Sequence, residues 1–164
     1  MSHAQGALMT EHDYAVSVAW TGNRGTGTSD YRGYGRDHLV SASGLPDIAG
    51  SADRTFHGDR DRWNPEQLLL AALAQCHMLS YLHMAVRAGV VVTAYADAAE
   101  GTLELNPDGS GQFTVATLRP RVTIDAGSDR DAALEAHHPA HEACFIARSV
   151  SFPVRVEPTV EVES

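Results

Sequence analysis

The sequence predicts an α+β fold in which antiparallel sheets pack around one long central helix. Three observations carry this. Residues 63–89 read as a single long helix; residues 90–105 and 112–124 are β-rich runs joined by the turn signal NPDGSG; and alternating segments near both ends read as strands beside a second, interrupted helical stretch. The order strand, strand, long helix, hairpin, broken helix, strand places helices against antiparallel sheet. At 164 residues with 43% apolar content, the chain is the size of one domain, residues 1–164, with enough core to fold without staples.

Residues 12–20 alternate through Tyr14, Val16, Val18 and Trp20, the pattern of a half-buried strand. A glycine-rich turn follows, with a return strand expected from Tyr34 to Ser43, so that Arg32 and Arg36 are displayed near the turn. Residues 45–62, with Pro46, Gly50, Gly58 and many aspartates, lack periodicity and read as a surface loop. The long helix has clear bounds: Asn64 suits the N-cap, Pro65 the first helical position and Gly89 the stop. Leu68, Leu69, Leu70, Leu73, Leu79, Leu82 and Met84 spread around most of its circumference, which predicts burial on several sides and shelter for the thiol of Cys76. The two β-rich runs should pair as a hairpin of two long strands. Residues 129–148 return to helical composition, and Pro139 should divide them into one helix up to His137 and another bearing Cys144. Residues 152–160 alternate as a last strand, and no internal repeat or low-complexity tract is present.

A formal net charge of −9 and a pI near 5.3 argue against a nucleic-acid or anionic-membrane partner, both of which need a basic surface. Gln75, His77, His83 and Arg87 interrupt the only candidate for a membrane span. The opening MSHAQGALMTEHD lacks the basic flank and apolar centre of a signal peptide, so cytoplasmic residence is expected. Two cysteines in that compartment are seldom a structural bridge. They are more often reactive, metal-bound or simply buried.

A cysteine reacts as thiolate, so it needs a cation or a helix N-terminus nearby to bring its pKa below about 8.5. From composition alone, Cys76 and Cys144 both read as small buried core residues sooner than as reactive thiols. The run NPEQLLLAALAQC, preceded by YGRD and followed much later by HEACFIARSVSFPV, resembles the OsmC/Ohr family of thiol-dependent hydroperoxide reductases over nearly the whole chain. That resemblance implies a peroxidatic cysteine at Cys76, a resolving cysteine at Cys144, and an activating arginine and glutamate at Arg36 and Glu66. It further implies a cofactor-free enzyme, an intertwined homodimer with active sites at the subunit interface, an organic hydroperoxide as substrate, and a low-molecular or lipoyl-type dithiol as reductant. Arginine suits the activating role because its charge is permanent and its N–H groups can also bind peroxide oxygens. Without that role, Glu66 is a favourable anion in a helix's first turn, and Arg36 a solvated turn residue with Arg32 as its rival.

Ten residues of continuous helix separate Glu66 from Cys76 by about 15 Å, so a shared site needs a second chain. The sequence also departs from the family pattern. Cys144 is followed by Phe145 and Ile146 where proline is usual, and Cys76 by His77 where an aromatic residue is common. Met78, Leu79, Trp63 and Phe145 would border the site and favour a bulky hydroperoxide, or else are ordinary core residues. A competing reading is a zinc site from His137, His138, His141 and Cys144, of which His141 and Cys144 form an i, i+3 pair. Others are a non-catalytic small-molecule carrier, and a cysteine hydrolase with His77 or His141 as base. Neighbouring residues on a helix point about 100° apart, so His77 is badly placed to activate Cys76.

Overall fold

Alternation in the N-terminal third yields a three-stranded antiparallel sheet of β1 (Ser17–Trp20), β2 (His38–Ser41) and β3 (Ile48–Gly50), in a computed structural model that describes residues 10–164. The expected hairpin is present, with Val18 opposite Val40, but it is shorter than the alternation suggests. Strand β1 is exposed along its whole length in this chain rather than half-buried, Val18 by 66%. Its turn closes where Gly35 N–H donates to Gly22 O at 2.8 Å; a Cβ on Gly22 would collide with the Gly35 carbonyl. Strand β3 lies inside the stretch expected to be loop. Gly44, at φ 76°, lets the chain double back after β2, and Leu45 N–H donates to Ala42 O at 3.1 Å across that turn. The remainder of that stretch holds a single 3-10 turn, Arg54–Phe56, capped by the Asp53 carboxylate. These elements belong to one compact unit, Met1–Pro65; a second comprises Glu66–Ser164.

Helix α1 (Pro65–Arg87), which from Glu66 onward belongs to the second unit, keeps its sequence-read bounds. It ends in a Schellman motif: Val90 N–H donates to Ala85 O at 2.9 Å and Gly89 N–H to Val86 O at 3.1 Å, with Gly89 at φ 71°. The expected burial on several sides is not met within the chain. Only the i, i+4 stripe Leu73, His77, Tyr81 and Ala85 is buried, while Leu79 and Val86 are 61% and 76% exposed. By length and composition α1 is also apolar enough to cross a membrane, so its polar residues do not by themselves exclude a span. Its stripe is nevertheless committed to this chain's own core. Tyr81 and Ala85 pack with Val122, Ile124, Ala133, Ala140 and Val160, and Leu73 with Ala116 and Leu118.

The NPDGSG hairpin forms, and each of its arms breaks in two: β4 (Val92–Asp97) and β5 (Glu100–Leu105), then β6 (Gly111–Leu118) and β7 (Pro120–Ile124). β5 pairs with β6 and β4 with β7, both antiparallel, in separate sheets. The break falls where Arg119 N–H donates to the Asp97 carboxylate at 2.7 Å and Pro120 has no N–H to give. The last segment splits likewise around Pro158 into β8 (Val154–Val156) and β9 (Thr159–Val162), parallel to β6 and β7 respectively. The fold class is therefore α+β as expected, with outer strands that make two of the sheets mixed rather than antiparallel.

Between the strands lie α2 (Arg130–Glu135), whose Asp129 cap accepts from Asp131 N–H and Ala132 N–H, and α3 (His137–Ala143). The helical stretch breaks at Ala136, earlier than the expected break at Pro139. Pro139 sits in the first turn of α3, where no intrahelical donor is required.

Candidate active site

Cys76 stands at the middle of α1 and is half-buried, one residue before the buried stripe position His77. The stripe turns His77 inward, and the rotation of about 100° per residue turns Cys76 to the flank. Cys144 is buried, 1% exposed, and is not carried on a helix as expected: it caps α3, its N–H donating to His141 O at 3.2 Å. Its Sγ accepts from Ala147 N–H at 3.4 Å. The two cysteines, 68 positions apart in sequence, are close enough for their thiols to interact, and both are free.

Burial, opposed by the pull of the Ala147 N–H and reinforced by the neighbouring Cys76, pushes the Cys144 thiol up to about 11. Cys144 is thus a protonated thiol at neutral pH, able to donate S–H to the sulfur of Cys76.

Glu66 lies in the first turn of α1, ten residues and about 15 Å from Cys76 along one unbroken helix, so the two do not meet in one chain. Its Oε2 is buried and has no hydrogen-bond partner among the described residues. Arg36 belongs to the N-terminal unit. Its Nη1 donates to Tyr34 O at 2.6 Å and its Nη2 to Tyr31 O at 2.7 Å, and the guanidinium lies over both rings, 4.1 and 4.7 Å from their centroids. A guanidinium so stacked keeps its charge while its orientation is fixed. The rival Arg32 is exposed, and its backbone N–H donates to Asp30 Oδ1 at 3.4 Å. Leu79, Trp63 and Phe145, expected to border a site or fill a core, are 61%, 51% and 79% exposed.

The histidines divide by environment. His138 is exposed and pairs with Glu142 at 3.6 Å, whereas His77 and His137 are buried, with His77 Nε2 and His137 Nδ1 at 3.0 Å. Burial holds both rings down to about 4, so both are neutral at physiological pH. Among the described residues, no group of three or more His, Cys, Asp or Glu side chains is placed to hold a metal ion, and His137, His138, His141 and Cys144 therefore do not form the zinc site considered from the sequence. The buried imidazole pair itself was missed. Its only signal was a histidine on the inward stripe of α1 and a second opening the later helix, and nothing in their spacing says that they touch.

Residues 57–159 match the family model for OsmC-like protein. The chain is similar in structure to an OsmC-like protein of unknown function from Vibrio cholerae, with 32% identity and a TM-score of 0.81 over 92% of this chain and 100% of that one. It is 23% identical over 160 residues to the uncharacterized protein YmaD of Bacillus subtilis, spanning 94% of this chain and 97% of YmaD. An organic hydroperoxide resistance protein, OsmC, from Legionella pneumophila shares the fold at a TM-score of 0.65 and 21% identity, over 93% and 100% of the two chains.

Proposed function

We propose, because the chain belongs to the OsmC-like protein family, that it is a thiol-dependent peroxidase reducing organic hydroperoxides through a two-cysteine cycle. The observation that supports this reading most directly is the proximity of Cys76 and Cys144. The hydroperoxide-resistance name carried by the structural neighbour from Legionella pneumophila points the same way.

In the first step the Cys76 thiolate attacks the distal oxygen of ROOH. The S–O bond forms, the O–O bond breaks, and RO⁻ leaves to take up a proton as ROH, with Cys76 oxidised to the sulfenic acid. Cys144 then attacks the Cys76 sulfur; its thiol proton leaves with the displaced hydroxide as water, and the disulfide closes. A dithiol restores both cysteines by exchange and is itself oxidised to its disulfide. Buried Cys144 is out of a substrate's reach and suits the second role, whereas half-buried Cys76 suits the first.

Arg36 and Glu66 act as the activating pair, the guanidinium stabilising the thiolate and the carboxylate orienting the guanidinium. The active assembly is a homodimer sharing its sites. Two features support that: the buried, unpartnered Oε2 of Glu66 sits about 15 Å from its own Cys76, and α1 presents exposed apolar side chains that a single chain leaves uncovered.

The test is intact mass and free-thiol count of the reduced protein before and after one equivalent of cumene hydroperoxide, beside Cys76→Ser. Loss of two hydrogens and both thiols in the unmutated protein alone is expected. Unchanged thiols, or full turnover by Cys76→Ser, would sink the proposal.

A further inference from the structure

We propose that the buried His77–His137 pair positions the two cysteines for the resolving step, by tying the helix that carries Cys76 to the helix that Cys144 ends. This rests on the reading of Cys76 and Cys144 as a peroxidatic and resolving pair. His77 follows Cys76 directly on α1, and His137 opens α3, whose C-cap is Cys144. Their ring nitrogens meet at 3.0 Å, with the rings stacked at 5.3 Å and 12°. Below them, one turn along α1, the Tyr81 ring stacks on His137 at 3.9 Å and its hydroxyl donates to Ala133 O at 3.2 Å. Two consecutive residues of the inward stripe thus grip α2 and α3 on the inner side of the same short span that carries Cys76.

The pair is poorly suited to a purely stabilising role. One imidazole must donate and the other accept, and either tautomer leaves the far nitrogens, His77 Nδ1 and His137 Nε2, as one donor and one acceptor. Both are buried and without a partner among the described residues. Two apolar side chains of similar shape would leave no polar atom stranded, so stability alone would favour them. What they could not supply is a directional bond between α1 and α3. That direction matters to Cys144, because a disulfide demands a narrow Cβ–S–S–Cβ torsion and an S–S distance near 2.05 Å. Peroxide attack on Cys76 makes no such demand on α3.

The experiment separates the two steps in the full-length reduced protein. Stopped-flow mixing with cumene hydroperoxide is followed by trapping of the sulfenic acid with dimedone and by mass measurement of disulfide, for the unmutated protein, His137→Leu, the double variant His77→Phe/His137→Leu, and His137→Asn. We expect oxidation of Cys76 to proceed within about twofold of the unmutated rate in all of them. Disulfide closure should slow by roughly tenfold or more in the two apolar variants, since a displacement of about 1 Å in a reacting pair can cost a hundredfold. His137→Asn, which can still bond His77, should recover much of the loss. The double variant, with neither ring left to strand, should melt no lower than the unmutated protein, and it carries the comparison even if His137→Leu does not fold. Closure at the unmutated rate in the double variant would overturn the positioning role, as would equal slowing of both steps. Absence of any disulfide in the unmutated protein would instead overturn the function on which the role rests.

Discussion

Acid should destabilise this protein well before its carboxylates protonate, through His77 and His137. Each titrates at 6.5 when unfolded and is held to about 4 in the fold, primarily by burial. Above pH 6.5 both are neutral in either state and contribute nothing to the pH dependence. Between 6.5 and about 4 the unfolded chain takes up protons that the folded one refuses, so stability falls with pH; below about 4 the loss levels off. At pH 5 the difference amounts to about 2 kcal/mol for one histidine, and more for two, short of a doubling because the rings share a hydrogen bond. Against a typical total of about 5–15 kcal/mol that is a large fraction. Asp97 works in the opposite sense: burial raises its carboxyl, so acid favours its folded form. The assay is urea unfolding at pH 7 and pH 5, at one protein concentration, for the unmutated chain and His77→Phe/His137→Leu. Because Asp97 is common to both, the difference between their pH responses isolates the imidazoles. The unmutated protein should lose about 2 kcal/mol or more beyond the double variant. Identical pH responses would refute the assignment of these rings as neutral and buried.

Three further outcomes follow from the site and its supports. Iodoacetamide at pH 7.5 should label Cys76 first and leave Cys144 slower by roughly two to three orders of magnitude, because burial keeps its thiolate scarce; peptide mapping of the labelled protein reads this. Arg36→Ala should slow Cys76 oxidation by roughly tenfold or more while Arg32→Ala changes it little, measured as the second-order rate with cumene hydroperoxide, since a permanent charge near a thiolate favours its ionised form. Gly89→Ala should cost about 1 kcal/mol in urea unfolding, because a Cβ there meets no neighbour but φ 71° is strained for any L side chain; no change would mean that the helix end relaxes.

Where the sequence was readable, local chemistry dominated. Pro65 and Gly89 bound α1 because a missing N–H is harmless at one end and a positive φ is needed at the other. NPDGSG forms its turn because Gly109 supplies φ 85° at the tip. What escaped reading was decided by tertiary pairing. Strand β3 has too little alternation to announce itself and exists because β2 offers it an edge. The split of the hairpin arms depends on the Asp97 carboxylate capturing the Arg119 N–H from the opposite arm. At the site, NPEQLLLAALAQC and the late cysteine were recognisable as a family pattern, and Cys76 and Cys144 do converge. The imidazole pair left no such trace, because a stripe position that accepts leucine also accepts a histidine once another chain segment brings it a partner.

The proposed activating residues divide along helix α1. Leu73, His77, Tyr81 and Ala85 commit one face to the core, and Glu66 precedes Leu73 by seven residues, nearly two full turns, placing it close to that inward line. Cys76 lies off the line by a single residue step, and ten residues of helix rotate Glu66 about 80° from it as well as carrying it about 15 Å away. No rotamer of a glutamate spans that distance. A buried carboxylate oxygen without a donor costs about as much as a lost hydrogen bond to a charged group, and arginine is the donor that satisfies such an oxygen bidentately while retaining N–H groups for a second anion. An arginine bridging Glu66 of one copy and Cys76 of another would meet both needs at once. That arrangement would require the exposed apolar residues of α1 to be covered by the same association that completes the site.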